Sequence, residues 1–144
     1  MDHTNLTTID TKPHYIFMDK FIIRKCTEYD SVRIAKIISE GMEELNVKPY
    51  GRTLVKPNTV IAHKDYYAHA FTRPELLDGL FTALKKHSDK ITKLKIGERS
   101  GLTIPTRYAF EEAGYPKIIK KHNIKAVYFD EEIDLKIELK KPPA

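Results

Sequence analysis

Apolar and polar positions alternate along this chain in two rhythms, and the changes of rhythm mark out its elements. Ile34, Ile37, Ile38, Met42 and Leu45 recur at helical spacing, which predicts an amphipathic helix over 32–45. Tyr29, Asp30 and Ser31 supply capping residues just ahead of it. Leu76, Leu77, Leu80, Phe81 and Leu84 predict a second helix ending near His87, with Thr72 as its cap and Pro74 in its first turn. Pro105 and Thr106 open a third through Ala113, which Gly114 is placed to end. Pro116 begins a fourth, running from Lys117 to His122.

Between these helices the pattern shortens towards period two. Thr53–Lys56, Ile91–Gly97 and Lys125–Phe129 read as strands. Ile133–Leu139 alternates strictly and predicts a half-exposed strand, either an edge or an antiparallel addition. The stretch from His14 to Cys26 is β-rich but interrupted by Asp19 and Lys20, so it predicts one bent strand or a hairpin. Strand and helix therefore alternate, which implies right-handed crossovers and parallel pairing. The expected fold class is α/β, three-layered, a mostly parallel sheet of about four or five strands with helices on both faces. Residues 1–13 read as a loose polar leader, and 14–144 as one α/β domain.

Composition narrows the function classes without choosing one. Of 144 residues, 41% are hydrophobic and 31% charged, as in an ordinary globular domain. The single Cys26 excludes an internal disulfide framework and any iron–sulfur cluster held on cysteines of this chain. A cytoplasmic setting fits best. No run of about 18 apolar residues predicts a membrane span, and the first ten residues lack the pattern of a signal peptide. Net charge is +5, from 25 Lys+Arg against 20 Asp+Glu, enough to attract anions. Many lysines, such as Lys85, Lys86, Lys117, Lys120 and Lys121, fall in helix-like stretches and read as a solvated face. A basic stripe with interleaved aromatics is not visible in the linear sequence, so nucleic acid is the weakest of the partner readings.

The candidate chemistry gathers where strands end. In Arg52–Val60 a short apolar run stops at Lys56, Pro57 and Asn58. Pro57 has no amide hydrogen, so the strand must finish there. A cation and a carboxamide are thereby set at the C-terminal lip of a strand, where open α/β sheets bind ligands. Three loops, 56–73, 97–105 and 130–132, are expected to converge at that lip. Lys56 can neutralise a phosphate or carboxylate and Asn58 can orient it. Ser100 and Gly101 can offer hydroxyl and N–H groups ahead of a helix, with Glu98 and Arg99 beside them as an acid and a clamp. A solvent-exposed Glu98–Arg99 pair is the plain alternative. His63, Asp65 and His69 are a possible zinc or iron set. Tyr66, Tyr67 and Phe71 read as anchors of the long loop. Asp130, Glu131 and Glu132 read as a water-facing strand end.

The order of four segments resembles one large family. They are Val55-Lys56-Pro57-Asn58, Thr72-Arg73-Pro74-Glu75-Leu76-Leu77, Ile96-Gly97-Glu98-Arg99-Ser100-Gly101 and Ala109-Phe110-Glu111-Glu112-Ala113-Gly114-Tyr115. Together they resemble the family called domain of unknown function 362, over roughly residues 20 to 132. The resemblance implies an uncharacterised domain from a group often linked to iron–sulfur proteins. Many relatives have a later half with further lysine-bearing motifs, and some have a ferredoxin-like cysteine run. Neither is present in these 144 residues. The leading expectation is an α/β domain that binds a small anionic molecule through Lys56, Asn58, Thr72, Glu98, Arg99 and Ser100. The alternatives are an oxidoreductase-type or metal-assisted enzyme domain completed by a second domain or subunit, and an interaction scaffold or homo-oligomer. The cofactor, if one is used, is unknown.

Overall fold

The computed structural model describes residues 20–63, 65–66, 69–101 and 103–133. Three parallel strands form one sheet in the order β1 (Gly51–Val55), β2 (Ile91–Glu98) and β3 (Lys125–Tyr128). Thr53 pairs with Leu94, Val55 with Ile96, and Ile96 with Ala126. Among the described residues four α-helices accompany them: α1 (Ser31–Glu44), α2 (Pro74–Leu84), α3 (Thr106–Glu112) and α4 (Tyr115–His122). A short 3₁₀ turn, Lys85–His87, extends α2.

Four expectations are corrected. Among the described residues the sheet has three strands rather than four or five. Residues 20–26, expected at the end of a β-rich segment, form no strand. Ile22 instead lines a groove with Ile37, Ile38 and Met42 of α1 and with Leu45, which caps its end. Arg24 pairs with Glu44 at 2.6 Å, so α1 captures this segment. The alternating run after Ile133 and the leader over 1–13 lie outside the described residues.

Among the described residues, moreover, the helices pack on one face of the sheet and not on both. Strand order advances in one direction, and successive right-handed crossovers then place every connection on the same side. A single buried cluster records this: Leu77, Phe81 and Leu84 of α2, Ile96 of β2, Phe110 of α3 and Tyr115 of α4. On the opposite face, Arg52, Leu54, Lys93, Lys95, Val127 and Phe129 line an open hollow.

Local chemistry explains the helix ends. Asp30 caps α1, its carboxylate accepting from the Arg33 N–H at 2.6 Å, a bond of about 1 kcal/mol. Thr72 does not cap α2. Arg73 holds that position, and the Thr72 hydroxyl accepts from the Asn58 N–H at 3.0 Å. Pro74 suits the first helical position, because the N–H it lacks would have no partner inside the helix.

One polar cluster crosses the helical layer. Asp78 of α2 is buried, with Oδ1 2.6 Å from His122 Nε2 and Oδ2 2.7 Å from Lys121 Nζ, both on α4. Burial pushes the Asp78 carboxyl up, but hydrogen bonds from Lys121, His122 and Ser31 outweigh it and hold the group at about 2. Its unfolded value is about 3.9. The depressed value stabilises the fold fully above pH of about 4, and that contribution disappears as pH falls towards 2. The expected size is about 2 kcal/mol. Asp78→Asn should therefore lower Tm at neutral pH and flatten its fall between about pH 4 and 2. Thermal melts across that window check it, and a slope equal to that of the parent protein would refute this role for Asp78.

Candidate functional site

The lip forms where β1 and β2 end and their loops turn across one another. Lys56 follows the last residue of β1, and Glu98 is the last residue of β2. Their side chains meet: Nζ of Lys56 lies 2.6 Å from Oε2 of Glu98. The second carboxylate oxygen of Glu98 accepts from the Arg99 N–H at 2.8 Å. Glu98 is only 5% exposed, so the exposed Lys56 ammonium offsets a charge that would otherwise be buried alone. The sequence-level alternative of an exposed Glu98–Arg99 side-chain pair is not what forms.

Asn58 and Thr72 close the long loop on itself. The Asn58 side-chain amide donates to the Ala70 carbonyl at 3.1 Å, and the Thr72 N–H donates to the Asn58 carbonyl at 2.8 Å. A single antiparallel bridge, Thr59 to Phe71, continues this closure. Tyr115 fastens it from beneath. Its hydroxyl donates to the Thr72 carbonyl at 2.7 Å and receives the Thr59 hydroxyl at 3.4 Å. Burial raises the Tyr115 phenol to about 12, against the hydrogen bond from Thr59 and with help from the nearby Glu98 charge. It stays a neutral donor at ordinary pH. Tyr115 was not among the residues expected at the lip. Its position directly after Gly114, at the opening of a helix, was the available signal.

The second loop folds back on the first, and the third closes over it. Gly101 donates its N–H to the Val60 carbonyl at 3.3 Å. The Ser100 N–H is taken by the Thr106 hydroxyl at 2.9 Å. Thr106 in turn donates its N–H to Asp130 at 2.9 Å. That bond lowers the Asp130 pKa, and the charge of Arg99 adds to the effect. Glu131 forms a two-pronged pair with Arg107 at 3.0 and 2.6 Å, and the guanidinium lies 4.2 Å from the centre of the Tyr128 ring. Asp130 and Glu131 thus tie β3 to α3 rather than merely facing water.

The three loops therefore meet as the sequence predicts, but most of their donors are already used. The Ser100 and Gly101 N–H groups, expected to face an anion, are both committed to protein acceptors. What remains is narrower. Arg99, Ser100, Gly101, Thr103, Ile104, Pro105 and Asp130 line a cavity of about 260 Å³. The Ser100 hydroxyl is buried with no hydrogen-bond partner among the described residues.

The possible metal set is not brought together. The His63 Nδ1 accepts from the Asp65 N–H at 3.1 Å, which is a turn contact, and the His63 ring lies 5.0 Å from that of Tyr66. Among the described residues no three His, Cys, Asp or Glu side chains stand close enough to share an ion. Tyr66 is exposed, whereas Phe71 packs against the buried cluster as a loop anchor should. Tyr67 lies outside the described residues. Cys26 is exposed, its thiol 3.1 Å from the Glu28 carbonyl. No helix among the described residues is long and apolar enough to cross a membrane.

No curated protein and no solved structure matches this chain. A family does. The family described as Domain of unknown function (DUF362) matches residues 53–143, a span that begins in β1 and takes in all three lip loops. With well over half its length matched, from the strand that Lys56 follows to beyond the acidic turn after β3, the chain belongs to that family.

Proposed function

We propose that this domain binds a small anionic molecule at the lip, in the cavity beside Arg99 and Ser100. The observation that carries the reading is Ser100, which lines that cavity and whose buried hydroxyl has no hydrogen-bond partner among the described residues. An unpaired buried hydroxyl costs about 1–3 kcal/mol, and a ligand oxygen would recover it. Arg99 supplies the charge and the fork-shaped donor set that suits a phosphate or carboxylate. Lys56, Asn58, Thr72 and Glu98 serve the same site as its frame, holding the two loops in place. No reaction is part of the proposal.

The test is a titration of the isotopically labelled chain with inorganic phosphate, followed amide by amide in NMR spectra. Shifts are expected over residues 98–106, and the paired replacements Arg99→Ala and Ser100→Ala should weaken binding about tenfold or more. Shifts scattered over the surface, or binding indifferent to both replacements, would remove the site. Lys56→Ala separates frame from contact. It leaves the Glu98 carboxylate buried without its cation, so Tm should fall as well as affinity. Reduced affinity at unchanged Tm would make Lys56 a direct ligand contact.

A further inference from the structure

The bare face of the sheet carries a pattern that no stretch of the sequence displays. Lys93 and Lys95 lie two residues apart on β2, so both point to one side. Register places Arg52 beside Lys93, and Lys125 beside Lys95. Four cations from three strands therefore share a face. They are separated by about 5 Å between strands and about 7 Å along them. None of the four makes an ion pair among the described residues. Leu54, Val127 and Phe129 interrupt them with apolar surface, and Leu54 is 50% exposed.

The aromatic ring is held by design of the backbone beneath it. A Cβ on Gly97 would stand 2.9 Å from the Phe129 ring and 3.0 Å from the Val127 carbonyl. Only a glycine lets the ring lie across β2 at that height. The hollow it helps form is open, about 460 Å³ in volume.

We propose that this face binds single-stranded nucleic acid. Charge selects a polyanion, and it opposes a second copy of this chain, which would bring four cations against four. The apolar centre selects among polyanions. Bases of a single strand can stack on an aromatic ring while the backbone follows the cations, whereas a duplex keeps its base faces stacked inside and has none to lay on Phe129. The proposal is independent of the lip cavity, which opens at the C-terminal ends of the strands.

Fluorescence anisotropy of the full chain with a labelled thymidine dodecamer tests it, with a duplex of equal length and a glutamate dodecamer as competitors. Binding should fall with salt at a logarithmic slope of about −2 to −3, as expected for roughly three or four phosphates on a single strand. Lys93→Glu together with Lys95→Glu should abolish binding. Phe129→Leu keeps an apolar group over Gly97 but removes the π face, and should weaken binding about tenfold. Absence of binding at low salt would overturn the proposal. So would a preference for the duplex or the acidic peptide, or an affinity untouched by Phe129→Leu.

Discussion

Phe110→Ala should be among the most damaging single replacements in this chain, costing about 3–5 kcal/mol of stability. Phe110 is fully buried in α3. Its ring meets Tyr115 of α4 edge-on at 5.0 Å and Tyr128 of β3 edge-on at 5.3 Å. Each such pair adds about 0.5–1.5 kcal/mol beyond the area it hides. The ring is thus the contact through which α3, α4 and β3 recognise one another, and alanine would leave a void among all three. Denaturant unfolding should show a lower midpoint at unchanged slope, the signature of lost stability without a change in the folded state. A midpoint within error of the parent would mean the neighbours collapse into the void. Phe110→Leu should cost visibly less. Tyr115 would also lose a wall, so the loop that hangs from its hydroxyl should exchange its amides faster.

Gly79→Ala is the second, and here two effects of opposite sign compete. Inside an exposed helix the exchange would gain about 1 kcal/mol of helix propensity. At this position α1 crosses α2 so closely that a Cβ would stand 2.6 Å from Ile34 Cγ2 and 2.9 Å from the Ser31 carbonyl oxygen. A side-chain methyl can yield, but a backbone oxygen moves only if α1 moves. Overpacking of this kind costs about 1–3 kcal/mol, and it should prevail. Tm is expected to fall with Gly79→Ala and fall further with Gly79→Val. Ile34→Ala removes one of the clashing groups, so the double replacement should be less harmful than the sum of the two. Strict additivity would show that the helices are not in contact there.

Much of the element order was readable from the residues, because each helix carries its own apolar stripe and its own stop. The helix expected over 32–45 is Ser31–Glu44, and the strand expected over 91–97 is Ile91–Glu98. What depends on pairing was not readable. Residues 20–26 have β-like composition, yet Ile22 packs along α1, because composition does not say which surface an apolar side chain will meet. The lip shows the same division. That Lys56, Glu98 and Ser100 stand at strand ends follows from Pro57 and from the loop after β2. That Lys56 pairs with Glu98, and that Thr72 serves Asn58 rather than α2, depends on distances across 42 and 14 residues of chain. The cations of the open face were hidden for the same reason. Lys93, Lys95 and Lys125 look like scattered charges until register sets them side by side.

The crossing of α1 over α2 has a consequence for the architecture as a set of parts. Gly79 lies inside the segment that matches the family, while α1 lies ahead of it. The notch lies within the matched span and the helix that fills it lies outside. In a shortened chain starting at β1 the notch would face water, the carbonyl of Ser31 would be gone, and glycine would only weaken α2. The replacement that harms this protein would then help. One helix, by its presence or absence, reverses the sign of the same substitution, so position 79 reports whether a protein of this build wears that helix at all.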